Sequence, residues 1–227
     1  ISLPLVQKLM TPWVIPKKEF TKFGIEDKNI IHYNAIDAAI IIKRKIDKTH
    51  KKKLTSKKTI LVRIEETEAS YASKNKKKFI RILKSIITRC PDARILVLTR
   101  YKWQNDFLKR NFGTKIEIIK KVVDGKSLLL QSDVFVGSGG TMTAESALLG
   151  VPTISYSAVP NIIENFLAKK KLLIKSTNAK FVAKSTSDLL TLSDFKRKQI
   201  KNHAKKIQKS MEDPYSKLIL AMKSTVK

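Results

Sequence analysis

A doubly wound α/β fold built on a parallel sheet is the class this sequence predicts, and three observations predict it. From residue 59 onward, short β-branched runs alternate with longer amphipathic ones. The short runs are nearly continuous in apolar residues, the pattern of strands covered by helices on both faces. A double glycine then stands between one such run, VFVG, and the helix-like stretch MTAESALLG.

The elements follow in order. TILVRI (59–64) reads as a strand, and a helix is expected over 73–90. There Phe79, Ile80, Leu83, Ile86 and Ile87 recur at three- and four-residue spacing and form one apolar stripe, with lysines on the other face. ILVLT (95–99), a helix over 102–111 and KIEII (115–119) continue the alternation. The short helical turn SLLLQ precedes VFVG (134–137), and PTISY (152–156) follows the helix after the glycines. KQIKNHAKKIQKSMEDPYSKLILAM predicts two helices broken at Pro214. Residues 59–209 are read as one domain and 210–227 as a C-terminal helix. Residues 1–42 read as the closing edge of an N-terminal domain whose main body lies outside this sequence. The basic stretch 43–58, KRKIDKTHKKKLTSKK, reads as an exposed interdomain linker.

Composition narrows the function classes. With 227 residues, 42% of them hydrophobic, the chain can bury a sizeable core. Lys and Arg number 47 against 19 Asp and Glu, a formal charge of +28 that attracts polyanions. The lysines stand in solvent-facing runs: Lys51 to Lys53, Lys57 and Lys58, Lys74 to Lys78 around Asn75, and Lys169 to Lys171. Aromatics make up only 7% and do not interleave with these runs, and no helix-turn-helix, zinc-finger or RNP-type motif occurs. The charge is therefore read as a solvated surface with some attraction to anionic membrane, and the reading goes against nucleic acid. Apolar runs such as IIHYNAIDAAIII (30–42) are short and interrupted by His, Asn and Asp, and no signal-peptide pattern precedes them, so a cytoplasmic location is expected. A single cysteine, Cys90, excludes an internal disulfide and reads as a packed thiol. His32, His50 and His203 lie far apart in sequence, and no metal site is expected.

The segment VGSGGTMTAESALLG (136–150) concentrates the candidate chemistry. Gly139 and Gly140 let backbone N–H groups approach an anion, and Ser138, Thr141 and Thr143 add hydroxyls beside the positive end of a helix dipole. A pyrophosphate fits such a turn. Glu145 lies four residues beyond Thr141, on the same helical face; it would repel phosphate unless it serves neighbouring hydroxyls such as those of a ribose. The competing reading is a glycine turn before a capped helix whose glutamate complements the dipole. With Thr141 as N-cap, however, the capping-box position falls on Ala144. The segment is neither a Walker loop nor a GxGxxG after a first strand. Arg63 and Arg100 fall at the C-terminal ends of expected strands, the edge where an α/β sheet binds ligands, and guanidinium suits bidentate phosphate contact. Trp103 and Gln104 follow Arg100 and could border a pocket, with helix-start packing the plainer role for Trp103. Glu65, Glu66 and Glu68 read as solvated or near a helix N-terminus rather than as an acid/base set.

SGGTMTAESALLGVP resembles the nucleotide-sugar motif in the C-terminal domain of GT-B enzymes, including the UDP-GlcNAc 2-epimerases and the N-acetylglucosaminyltransferase that makes lipid II. More narrowly, the series HYNAIDAAIII, ILVRIEETEASY, LVLTRYKWQ, VVDGKSLLLQSDVFVGSGGTMTAESALLGVP and MEDP is similar to the domain-of-unknown-function 354 family, prokaryotic and largely archaeal proteins regarded as glycosyltransferases. The resemblance implies a Rossmann-like C-terminal domain of a GT-B fold with a remnant of the N-terminal domain. It implies a nucleotide-sugar donor, a UDP-sugar, with Ser138, Gly139, Gly140 and Thr141 against the diphosphate and Glu145 on the ribose hydroxyls. Asp124 and Gly125 match the loop that borders the base. It further implies metal-independent glycosyl transfer to a glycan or lipid-linked acceptor without a cofactor; the catalytic base and acceptor site, which no residue here is assigned to, would lie mainly in the N-terminal domain. The epimerases carry a His-Arg pair and further acidic residues after the first strand of this domain, where this chain has VRIEETEASY without His; the lipid II-type glycine-rich loop is missing there too. An epimerase-like enzyme and a non-catalytic nucleotide-sugar binder are the alternatives.

Overall fold

The computed structural model describes residues 5–44, 57–64, 76–119, 124–156 and 161–223. Its main sheet has six strands: β3 (Thr59–Arg63), β4 (Arg94–Leu98), β5 (Glu117–Ile119), β6 (Val134–Gly137), β7 (Thr153–Ser155) and β8 (Ile174–Lys175). They run in the order β5-β4-β3-β6-β7-β8, and every neighbouring pair is parallel. Counted from β3 this is the doubly wound order, in which the chain works outward one way, returns to the middle and works outward the other way. The reversal falls between β3 and β6, where Val62 stands opposite Val136. The doubly wound parallel class expected from the sequence is therefore the fold.

Alternation across the sheet explains why the strands read as continuous apolar runs. Ile60, Val62, Ile95, Val97, Val134 and Val136 share one buried cluster with Phe79, Leu83 and Ile86 of α3 (Lys76–Arg89), Leu108 of α4 (Lys102–Phe112) and Val182 of α8 (Ala179–Leu190). The residues between them, Leu61, Leu96 and Phe135, point the other way and pack with Leu129 of α5 (Gly125–Leu130) and Met142 of α6 (Thr141–Leu149). Both faces are covered, so neither row of alternate residues is free to be polar.

Sequence periodicity places no element between PTISY and the closing helices. The structure has three there: α7 (Ile162–Lys169), β8 and α8. Their signals are weak for physical reasons. Strand β8 is two residues long, and α8, AKFVAKSTSDLL, is rich in β-branched and hydroxyl residues of modest helix propensity. The two closing helices, α9 (Asp194–Lys209) and α10 (Pro214–Lys223), meet at the expected break, with Pro214 on the first residue of α10, where its missing N–H costs nothing.

Two further sets of contacts fix the frame around the site, the first of them on its helix. A parallel pair, β1 (Leu9–Pro12) and β2 (Ile30–Tyr33), leads through α1 (Lys18–Thr21) and into α2 (Asp37–Ile41). Ala35, Ala38, Ala39 and Ile42 then bury against Ala144, Ala147 and Leu148 of α6, together with Leu167 of α7 and Ala204 of α9. At the opposite edge of the sheet, Arg197 of α9 donates to the carbonyls of Asp133 (2.9 Å), Leu189 (2.9 Å), Leu190 (3.0 Å) and Leu192 (3.2 Å). The Asp133 carboxylate in turn accepts the Thr59 N–H at 2.8 Å, tying the starts of β3 and β6 together.

Candidate functional site

The glycine turn sits where β6 ends and α6 begins, at the reversal of strand order, and its backbone explains its residues. Gly139 has φ of 111°, while Gly140, the N-cap of α6, has φ of 83° and ψ of −166°, a region only glycine occupies without strain. No side chain caps α6. Thr141 is thus the first helical residue rather than the cap, and the capped-helix alternative lacks its capping hydrogen bond. The first-turn N–H groups face the open C-terminal edge of the sheet with the positive end of the helix dipole behind them. Ser138 is half-buried and Thr141 exposed at this mouth.

One turn into α6, Glu145 is half-buried and makes no hydrogen bond or ion pair among the described residues. Burial pushes its carboxyl above the ordinary range, the Arg44 guanidinium pulls it down, and the Asp124 carboxylate pushes it up again. Arg44 follows α2, an element that sequence reading did not connect with the site. Asp124 is the N-cap of α5 and accepts from the N–H groups of Lys126 (3.3 Å) and Ser127 (3.2 Å), and Gly125 opens that helix.

The two arginines lie where expected, on the C-terminal ends of adjacent strands. Arg63 ends β3 half-buried, and its Nη1 donates to the Thr99 carbonyl at 3.2 Å. Arg100 is exposed just beyond β4, and its N–H donates to Gln104 Oε1 at 2.8 Å. Gln104 is fully buried and completes a capping box with Tyr101. Trp103 stacks on Tyr101 with ring centroids 6.4 Å apart, the helix-start packing that was its plainer reading.

Beneath the turn lie Gly137, Thr143 and Glu164, of which sequence reasoning singled out only Thr143. A Cβ on Gly137 would stand 2.6 Å from both the Phe135 ring and Thr143 Oγ1, which makes this glycine a packing requirement. Thr143 is not at the mouth with Ser138 and Thr141 as the sequence suggested: it is buried, and its Oγ1 has no hydrogen-bond partner among the described residues. Glu164 of α7 is 1% exposed and accepts from the Ser155 hydroxyl. In the sequence it stands three residues after Asn161, the spacing of a capping box. Asn161 does cap α7, but the glutamate turns inward instead of reaching back, and local sequence carries no sign of that.

Among the described residues no group of three or more His, Cys, Asp and Glu could hold a metal ion, and no helix is long and apolar enough to cross a membrane. His32 Nε2 lies 3.0 Å from the Ile15 carbonyl, and His203 Nε2 lies 2.7 Å from that of Lys170. Cys90 is buried, and burial pushes its thiol up. Glu65, Glu66, Glu68, His50 and residues 45–56 of the basic stretch lie outside the described residues.

A family model, Protein of unknown function (DUF354), matches residues 1–219. The chain belongs to the DUF354 family. A relative, the uncharacterized protein MJ0665 of Methanocaldococcus jannaschii, is 26% identical over 200 residues, which are 84% of this DUF354 chain and 57% of the relative. Among solved structures, the M. jannaschii UDP-GlcNAc 2-epimerase in complex with UDP-GlcNAc and UDP is 17% identical, with a TM-score of 0.62 over 83% of this chain and 56% of that one. S. aureus MnaA with UDP is 15% identical, with a TM-score of 0.66 over 94% and 56%. The glycotransferase of kitacinnamycin is 13% identical, with a TM-score of 0.59 over 91% and 52%. At these identities the likeness is one of fold, and it is to GT-B and Rossmann-like units. This chain spans little more than half the length of each of these proteins.

Proposed function

We propose that this DUF354 chain holds a nucleotide sugar, a UDP-sugar, as the donor-binding unit of a GT-B glycosyltransferase. The diphosphate lies against Ser138, Gly139, Gly140 and Thr141, where the uncapped N–H groups of α6 replace its hydration. Glu145 accepts from the ribose hydroxyls, Asp124 and Gly125 border the base, and Arg63 and Arg100 approach the phosphates from β3 and β4. On departure of the nucleoside diphosphate, the same amides and guanidinium groups stabilise the charge that develops on the leaving oxygen, without a metal. The acceptor is a glycan or a lipid-linked sugar, and the basic surface permits a peripheral contact with anionic membrane.

One observation carries this reading. A half-buried carboxylate that makes no hydrogen bond or ion pair among the described residues stands one turn behind an uncapped helix N-terminus, at the strand-order reversal of a doubly wound sheet. Two of the similar structures named above were solved with UDP, which supports the choice of nucleotide. One of them is an epimerase, which keeps epimerisation as a second reading. The two separate by product: an epimerase releases an altered UDP-sugar without any acceptor.

A thermal-shift panel of nucleotide sugars tests the binding claim. A ligand at about 100 times its Kd adds about 2.7 kcal/mol to the folded state. UDP-sugars are expected to give that shift; no shift with any nucleotide sugar overturns the reading.

A further inference from the structure

Glu164 is a carboxylate placed where an anion site would least tolerate one. Both its oxygens lie directly under the glycine turn: a Cβ on Gly139 would stand 3.0 Å from Oε1 and 3.5 Å from Oε2. The side chain is 1% exposed, Oε1 accepts from Ser155 of β7, and Oε2 is buried without a hydrogen-bond partner among the described residues. Among the described residues the cation facing it is Lys175 of β8, with Nζ 3.8 Å from Oε2. That ammonium also donates to Asn165 Oδ1 at 2.7 Å, so it is only partly committed to the carboxylate. The turn residues above, Gly137 to Thr141, carry no charge. An ionised Glu164 would therefore place a poorly compensated negative charge under the peptides that are to receive a diphosphate.

We infer that Glu164 must carry a proton for a diphosphate to occupy the glycine turn, so that it acts as a positioning residue coupling anion binding to proton uptake. This rests on the nucleotide-sugar reading above. The balance is simple: as the anion enters, the carboxylate takes one proton from solvent, and no other bond is made or broken. The Ser155 hydroxyl continues to donate to Oε1, which leaves the orphaned Oε2 to bear the proton. Burial raises the carboxyl above its ordinary range, while the Ser155 hydroxyl and the Lys175 ammonium pull it back. The Glu145 carboxyl is also raised by burial, with Arg44 pulling it down and Asp124 pushing it up. Its effect has the opposite sign, because the ionised form is the better acceptor for ribose hydroxyls.

Titration calorimetry of this chain with UDP-GlcNAc is the test, run from about pH 6 to about pH 8.5 in buffers of differing ionisation heat. The diphosphate diester keeps its charge over this interval, so proton uptake reports on the protein. For the unmodified chain the Kd is expected to rise with pH, by up to about tenfold per unit once the free carboxyl is ionised, with net proton uptake. Glu164→Gln keeps the shape and the Ser155 contact without the charge. It is expected to bind UDP-GlcNAc at least as tightly and to lack that rise and that uptake. Lys175→Gln removes the cation that favours the ionised form and is expected to move the rise to higher pH. Glu145 is present in both the unmodified and the Glu164→Gln chains, so the difference between their profiles reports on Glu164. Parallel pH profiles for the two, or a Glu164→Gln chain that folds but binds about tenfold more weakly at pH 6, overturn the coupling and leave the binding reading intact. An absence of binding in both proteins at every pH overturns both.

Discussion

Replacing Gly140 by alanine separates backbone conformation from packing more cleanly than any other change at the turn. A Cβ there meets nothing within 4 Å, so the cost is entirely torsional. With φ of 83° and ψ of −166°, the residue occupies a region worth roughly 1–3 kcal/mol of strain to any side chain. The variant can keep the turn and carry the strain, or relax it and tilt the first-turn N–H groups of α6 away from the mouth. In the first case a domain of this size loses roughly 2–4 °C of Tm per kcal/mol. In the second, a binding loss of similar energy is roughly 5- to 150-fold in Kd for UDP-GlcNAc. Thermal unfolding with and without UDP-GlcNAc measures both. A Gly140→Ala chain with unchanged Tm and unchanged affinity would refute the account of the turn.

Other consequences follow from the scaffold. Gly150, which ends α6 at φ of 73°, lies under α9, where an added Cβ would come 2.6 Å from the Lys201 Cα. Gly150→Ala is expected to cost about 3 kcal/mol, from positive φ and overlap together, seen as a lower urea midpoint with the Kd for UDP-GlcNAc unchanged. Arg197→Met retains the stem but orphans the carbonyls of Asp133, Leu189, Leu190 and Leu192. A loss of about 3 kcal/mol is expected in the same urea titration, again without an effect on affinity.

The sheet was legible because its strands are buried on both faces, which writes them into the sequence as unbroken apolar runs. Helix α3 was legible because its stripe of Phe79, Leu83 and Ile86 repeats at helical spacing. The glycine turn announced itself because positive φ leaves little choice of residue. Where tertiary contact alone decides, sequence falls silent. Helix α8 is held by packing on α3 in spite of its middling propensity, and β8 is too short to show a period. Glu164 wears the spacing of a local cap yet is folded inward beneath Gly139, a relation between residues 25 apart in sequence that no local pattern encodes. Gln104 shows the converse: beside Arg100 it suggested a pocket border, and the structure gives it the N3 place in the capping box of α4, while Trp103 stacks on Tyr101.

The central claim is that Glu145 holds a ribose, and a double-mutant cycle on ligand and protein addresses it directly. The affinities of UDP and 2′-deoxy-UDP are measured for the unmodified chain and for Glu145→Gln. A hydrogen bond to a charged acceptor is worth about 1.5–3 kcal/mol, so the unmodified chain is expected to prefer the ribonucleotide by roughly 10- to 150-fold and the variant to lose most of that preference. An equal preference in both proteins, or none in either despite tight binding, would contradict the account.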